Sequence, residues 1–196
     1  MMQFLKRYVQ MVQWRKRDYG AQSPQCVKET VLQRYAIDGA TWVETGTHMG
    51  ITTRFLSEFS DKVYTLEPAP KLYARAKRLF AGSHVEVING ASESVFPELL
   101  PKLSGDVCFW LDGHYSAGMT FQGDTDCPIE AELNAIDASF DLFDRISILI
   151  DDVRAFVSDA DWAKDYPSQD FLVDWARAHG LRWRVEHDIF IMGHSV

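Results

Sequence analysis

Residues 42–53 read Trp-Val-Glu-Thr-Gly-Thr-His-Met-Gly-Ile-Thr-Thr, and this stretch predicts a strand, a turn and the start of a helix. Trp42 and Val43 favour the strand, and apolar residues recur at helical spacing after the final threonine. Gly46 and Gly50 bracket the turn, where glycine permits a positive φ and a close backbone approach. Free N–H groups at a helix start attract anions. The stretch is therefore typical of a ligand cradle, and a tight turn without a ligand is the alternative.

The glycine spacing of this turn is G-x-x-x-G. A dinucleotide site prefers G-x-G-x-x-G, and a phosphate loop ends in Gly-Lys-Ser/Thr. His48 stands where a middle glycine would be, and Ile51, not a lysine, follows Gly50. The spacing disfavours a nicotinamide dehydrogenase and favours a ligand whose anionic group is a carboxylate.

The rest of the chain alternates short apolar strands with helices. We predict strands at 41–45, 62–66, 84–88, 107–111, 146–150, 182–186 and 189–192. We predict helices between them at 51–60, 70–80, 93–100, 128–142 and 169–179. Repeated βα units imply a mostly parallel sheet covered on both faces, and the close final pair indicates a hairpin. The predicted fold class is α/β: a Rossmann-like, doubly wound, mostly parallel seven-stranded sheet with an antiparallel C-terminal hairpin, plus N-terminal helices.

The N-terminal segment differs from this pattern. We predict a helical extension over 1–38 and the α/β domain over 39–196, which together form a single domain. The extension combines an apolar stripe with basic residues and could lie on an acidic membrane surface. Such a segment more often docks on its own domain or on a partner subunit. A membrane is therefore not the expected partner, and a homodimer is one alternative.

Bulk properties narrow the class of protein. The chain has 28 acidic and 20 basic residues, for a net charge of −8, so nucleic acid is not the expected partner. Its three cysteines form no CxxC motif and indicate a reducing compartment. No apolar run approaches transmembrane length, and no secretory pattern opens the chain. A cytoplasmic protein is expected.

Polar residues collect where the predicted parallel strands end, which is where ligands bind in open α/β sheets. In chain order these are Glu44 and Gly46, Glu67, Asn89 to Ser92, Asp112, His114 and Tyr115, and Asp151 and Asp152. Glu67 follows the first glycine by about twenty residues, where an acidic residue holds the hydroxyls of a ribose. Capping of the next helix is the alternative for Glu67.

Three of these acids, Asp112, Asp151 and Asp152, follow strands that should be neighbours. Converging carboxylates repel each other unless they are protonated or bridged by a cation. Oxygen ligands favour Mg²⁺, Ca²⁺ or Mn²⁺ over zinc, and simple capping of the next loop is the alternative. His114 lies just beyond in the sequence, and histidine is a natural general base because its ordinary pKa is near neutral. A loop histidine can also be merely solvated.

In combination, these motifs resemble class I S-adenosylmethionine-dependent methyltransferases. More narrowly, they resemble metal-dependent small-molecule O-methyltransferases, such as the catechol and antibiotic-sugar enzymes. Residues 44–52, ETGTHMGIT, are similar to the family motif E-x-G-x-x-x-G-x-S/T. The other segments that resemble family motifs are 65–68, 90–93, 111–112 and 150–153. The resemblance covers residues 42–153.

The resemblance implies a cofactor, a metal and their binding residues. S-adenosylmethionine would contact Glu44, Gly46, Thr47, His48, Gly50, Thr52, Glu67, Ser92, Glu93 and Asp112. Mg²⁺, or another hard divalent cation, would be held by Asp112, Asp151 and Asp152. This metal would lower the pKa of an acceptor hydroxyl.

The resemblance departs from the family at the general base. The catechol enzymes carry a lysine where this chain has Tyr115, and the sugar enzymes carry an aspartate where it has His114. We expect His114 to be the base, with Tyr115 as the alternative. The expected function is Mg²⁺-dependent methyl transfer to a hydroxyl of a small molecule of sugar or phenol type. Two alternatives are another metal-dependent reaction at this site and a non-catalytic binding or scaffold protein of the same fold.

Overall fold

The computed structural model describes residues 2–20, 22–113, 127–194 and 196. The helices are α1 (Met2–Lys16), α2 (Gln25–Arg34), α3 (Ile51–Leu56), α4 (Pro70–Leu79), α5 (Ser92–Leu99), α6 (Ile129–Asp137) and α7 (Gln169–Ala178). The strands are β1 (Thr41–Thr45), β2 (Lys62–Glu67), β3 (Val85–Asn89), β4 (Gly105–Leu111), β5 (Phe143–Ile150), β6 (Arg182–Glu186) and β7 (Ile189–Gly193).

The strands form one seven-stranded sheet in the order β3-β2-β1-β4-β5-β7-β6. Pairing is parallel from β3 through to β5, and β7 pairs antiparallel with both β5 and β6. The predicted fold class is confirmed. The winding direction reverses between β1 and β4, which makes their carboxyl ends the topological switch point where ligands bind in such sheets.

Both faces of the central strands are buried, because helices cover the sheet on each side. Phe109 of β4 belongs to one apolar cluster, whereas its neighbours Cys108 and Trp110 belong to the other. All three are at most 1% exposed. This two-sided burial explains why β4 is apolar at consecutive positions and does not alternate with polar residues.

Two helices end several residues earlier than the sequence predicts. The helix predicted over 51–60 ends at Leu56, and the hydroxyls of Ser57 and Ser60 bond the carbonyls of Arg54 and Leu56 at 2.8 and 2.6 Å. Serine hydroxyls compete in this way with the helical backbone.

The helix predicted over 128–142 ends at Asp137, and a 3₁₀ turn covers Phe140–Leu142. The Phe140 ring packs against α7, with its centroid 6.2 Å from that of Trp175. The early end of α6 therefore allows an aromatic contact between two helices on the same face of the sheet.

The N-terminal helices pack on the rest of the chain through only part of their surface. Trp14 of α1 is 4% exposed, whereas Leu5 and Tyr8 are 64% and 67% exposed. Arg7 of α1 pairs with Glu29 of α2 at 2.6 Å. Within the described residues, no helix is both long and apolar enough to cross a membrane.

Leu133→Ala should destabilise the protein strongly, because Leu133 on α6 is fully buried in the core. The lost apolar burial and the cavity should lower the free energy of unfolding by about 2–5 kcal/mol. Leu142→Ala is the matched control, since Leu142 is 44% exposed and should cost at most about 0.5 kcal/mol. Denaturant unfolding measures both, and equal losses would contradict the assigned packing.

Candidate functional site

The turn after β1 lies against the end of β4. Gly46 has φ +84°, and a Cβ added there would lie 2.4 Å from the carbonyl oxygen of Asp112. The backbone N–H groups of Gly46 and Thr47 both donate to the carbonyl of Leu66, at 3.1 and 3.0 Å. The backbone at Gly46 thus continues along β2 and at the same time lies against the end of β4. Any residue with a Cβ at position 46 would displace the backbone.

The second half of the turn leads into α3. His48 and Gly50 both have positive φ, +46° and +73°, and the Gly50 N–H donates to the Thr47 carbonyl at 2.7 Å. From α4, the Arg75 guanidinium donates to the carbonyl of Met49 at 2.9 Å. The turn is therefore held in one shape by neighbouring elements, as a preformed cradle requires.

Glu44, the last residue but one of β1, lies beneath this turn and is 1% exposed. Its Oε2 accepts hydrogen bonds from the hydroxyls of Thr53 and Thr65, at 2.5 and 2.6 Å. Since Thr65 gives its only hydroxyl proton to Glu44, its oxygen accepts from Thr47 at 2.6 Å. Burial raises the pKa of Glu44 to about 8. The carboxyl group therefore ties β1, β2, the turn and α3 together from below.

Glu67 ends β2 next to the turn and is 3% exposed. One carboxylate oxygen accepts the His48 N–H at 2.8 Å, and the other accepts the Ala69 N–H at 2.9 Å. Each carboxylate oxygen has a second lone pair that can accept a ligand hydroxyl. Ala69 precedes α4 directly, so the structure is compatible with both interpretations of Glu67, ribose binding and helix capping.

The segment over 90–93, which resembles a family motif, begins beside Glu67. The N–H of Gly90 donates to the Glu67 carbonyl at 3.3 Å, and the Asn89 amide donates to the same carbonyl at 2.8 Å. Ser92 begins α5, and its hydroxyl donates to Glu93 at 3.3 Å. The structure thus brings the segment to the same edge of the sheet as the turn after β1.

Asp151 lies at the end of β5 and is 2% exposed. Its Oδ2 accepts a hydrogen bond from the ammonium of Lys28, which reaches over from α2. The described part of the chain offers no hydrogen-bond partner to Oδ1. Burial, aided by the charge of Asp112, raises the pKa of Asp151. Burial alone would lower the pKa of Lys28, but Asp151 and Asp112 outweigh it and raise that pKa.

Asp152 has its charge balanced by a different residue. It adopts a left-handed backbone with φ +60° and pairs with Arg154 at 2.6 Å. Arg154 also pairs with Asp188, which lies in the turn between β6 and β7. The C-terminal hairpin is thereby linked to the end of β5.

The predicted metal ligands do not fit a divalent cation in this arrangement. Two of the three, Asp151 and Asp152, already face the cations Lys28 and Arg154, which would repel an incoming metal. Among the described residues, no group of three or more His, Cys, Asp and Glu side chains could hold a metal ion. The magnesium prediction is therefore not supported by the residues present.

Two predicted residues cannot be placed in the site. His114, Tyr115 and the loop over 116–126 lie outside the described residues. Their catalytic role stays a prediction.

The sequence reasoning missed Lys28, Thr53 and Thr65. A threonine inside the apolar strand Lys62–Glu67 was a usable signal, since a buried hydroxyl needs a partner. Lys28 carried no comparable signal, because it is one of several charged and polar residues on a helix far from the motifs in sequence.

Comparison with known proteins supports the fold. No family model and no curated protein matches this chain. A proposed methyltransferase from Streptococcus mutans, solved in complex with SAH, has 14% identity and a TM-score of 0.51, over 89% of this chain and 98% of that chain. A methyltransferase from Geobacter sulfurreducens has 11% identity and a TM-score of 0.55, over 95% and 86%.

A third solved structure, of a proposed rRNA methylase from Clostridium thermocellum, has 12% identity and a TM-score of 0.54, over 85% of this chain and 93% of that chain. At such identities the likeness shows the fold alone. This fold is the one used by S-adenosylmethionine-dependent methyltransferases of class I.

Gly46→Ala should destabilise the protein more than Gly39→Ala. Both positions have positive φ, +84° and +74°, but only at Gly46 does an added Cβ meet backbone, whereas nothing lies within 4 Å at Gly39. Both variants incur backbone strain of about 1–3 kcal/mol, and overpacking adds roughly 1–3 kcal/mol at Gly46. Thermal unfolding compares them, and equal losses would disprove the close approach to Asp112.

Glu44→Gln should remove a pH dependence of stability. The folded pKa of Glu44, about 8, lies above the ordinary 4.5, so the folded state holds a proton that the unfolded state releases. The stabilisation by Glu44 is complete below pH 4.5 and is lost as the pH rises towards 8, by at most about 1.4 kcal/mol per pH unit.

The stability difference between wild type and Glu44→Gln should therefore fall from pH 5 to pH 8 and then level off. Denaturant unfolding across this range measures it. A difference that stays constant or rises with pH would contradict a protonated Glu44.

Proposed function

We propose that this protein is an S-adenosylmethionine-dependent methyltransferase that acts on a hydroxyl of a small molecule of sugar or phenol type. The observation that carries the proposal is the close approach of Gly46 to Asp112 beside the carboxylate of Glu67. This approach forms a tight glycine turn at the switch point of the sheet, and the solved structures that share the fold include an SAH complex.

The proposed cofactor contacts follow from this geometry. The methionine carboxylate would bind at the start of α3, near Gly50 and Thr52. Glu67 would accept the ribose hydroxyls through its second lone pairs. Ser92 and Glu93 would border the adenine. Glu44 is engaged with Thr53 and Thr65, so we assign it to support of the cradle from beneath.

The choice of a small acceptor rests on charge. A net charge of −8 repels a polyanion. A proposed rRNA methylase shares the fold, but a shared fold does not carry a substrate with it. A small hydroxylated molecule fits an acidic rim, because hydroxyls donate hydrogen bonds to carboxylates.

Methyl transfer to oxygen needs alignment of the acceptor with the sulfonium methyl and a base for the hydroxyl proton. We propose His114 as that base, with Tyr115 as the alternative. We derive no step through a metal, since Lys28 and Arg154 already balance two of the predicted ligands.

S-adenosylmethionine should raise the unfolding temperature of the wild-type protein. At about a hundred times its Kd, a ligand adds roughly 2.7 kcal/mol, or about 5–10 °C for a domain of this size. NAD should give no shift. Glu67→Gln should weaken binding about tenfold or more through loss of a charge-assisted bond, whereas exposed Glu86→Gln is the control and should not.

Equal shifts with both cofactors, or none with either, would overturn the proposal. Release of S-adenosylhomocysteine in the presence of a panel of sugars and phenols then tests catalysis. Binding without release for any acceptor would instead support a non-catalytic protein of the same fold.

A further inference from the structure

Helix α2 contacts both the start of α3, next to the glycine turn, and the acidic residues after β5. The Gln25 amide donates to the Thr52 hydroxyl at 3.1 Å, on the first turn of α3. One helical turn later, Lys28 pairs with Asp151 at the end of β5. An element that precedes the sheet in sequence therefore connects the cofactor cradle to the acidic edge.

Lys28 is surrounded by carboxylates and an aromatic ring, which stabilise its positive charge. Its side chain is 20% exposed, and its ammonium lies 5.9 Å from the ring centroid of Trp110. The charges of Asp151, Asp112 and Asp152 all act on it. An ammonium has three N–H donors, and the hydrogen bond to Asp151 uses one of them.

Asp151 offers a complementary acceptor. Its Oδ2 faces Lys28, while its buried Oδ1 has no hydrogen-bond partner among the described residues. Asp151 also lines a small cavity together with Gly113, Glu132 and Tyr166. Lys28 and Asp151 therefore both lie next to the end of β4.

We propose that Lys28 is the resident cation of the acceptor site, in place of the divalent metal predicted from the sequence. One of its remaining N–H groups binds the oxygen of the acceptor hydroxyl, which leaves the hydroxyl proton for the base of the proposed function. This inference rests on the proposed function, and it makes methyl transfer independent of a divalent metal. Lys28 contacts the acceptor oxygen directly in this scheme.

The pair selects for a neutral hydroxyl. A hydroxyl oxygen accepts a hydrogen bond from the Lys28 ammonium and adds no charge to this edge. A cationic acceptor would be repelled by Lys28, and a carboxylate by Asp112 and Asp151. Neutral polyols and phenols are therefore the acceptors that this edge fits best.

Mn²⁺ binding tests the inference without knowledge of the acceptor. Electron paramagnetic resonance of free Mn²⁺ would be followed with full-length wild type, Lys28→Met and the double variant Lys28→Met/Asp151→Asn. We expect no Asp151-dependent binding in the wild type. Lys28→Met frees the carboxylates and should gain binding with a Kd on the order of millimolar, typical of weak carboxylate sites, which the double variant should lose.

Lys28→Arg is the matched control, because it keeps the charge and should bind no Mn²⁺. Asp151-dependent binding by the wild type, or no binding by folded Lys28→Met, would overturn the inference. Should Lys28→Met fail to fold alone, its refolding with Mn²⁺ would support the inference, and its failure to refold with Mn²⁺ would overturn it.

Binding of S-adenosylmethionine, measured by calorimetry on the same samples, separates this inference from the proposed function. Retained binding shows that a variant is folded and that its cradle is intact. If the wild type bound no S-adenosylmethionine, the proposed function would fail, whereas the Mn²⁺ comparison would still decide whether Lys28 is the cation of this edge.

Discussion

The buried carboxyl group of Glu44 is the constraint on which the cradle depends. Burial of a charged carboxylate is costly unless it is compensated, and the raised pKa of Glu44 shows that the folded protein favours the neutral form. Its hydrogen bonds to Thr53 and Thr65 hold α3 and β2 at fixed distances from β1. The turn that contains Gly46 is therefore supported from below.

A second balance of charge operates at the ends of β4 and β5. Asp151 and Asp152 carry like charges at adjacent positions, and the structure gives each its own cation, Lys28 and Arg154. Lys28 belongs to α2, near the start of the chain. Arg154 is held by Asp188 in the C-terminal hairpin. The acidic edge is thus stabilised by α2 and by the C-terminal hairpin.

The sequence was sufficient to predict the sheet, because every central strand is an apolar run followed by a polar turn. It also placed Gly46 in the turn after β1 and Glu67 at the end of β2, since both positions follow from local glycine spacing and strand ends. It could not locate Lys28, because the pairing with Asp151 joins residues 123 positions apart, and only the three-dimensional fold brings them together. The magnesium prediction is unsupported for a similar reason. The spacing of strands in the sequence shows which carboxylates converge, but it does not show that Lys28 and Arg154 already face two of them.

The pairing of α2 with Asp151 has a consequence for how the protein is made. The first helices leave the ribosome before any strand, yet the partners of Lys28, Ser23 and Gln22 lie in β5 or later, up to 166 residues away. Non-local contacts of this kind form late and slow folding. The nascent N-terminal segment must therefore wait, with its apolar surface uncovered, until the sheet is complete.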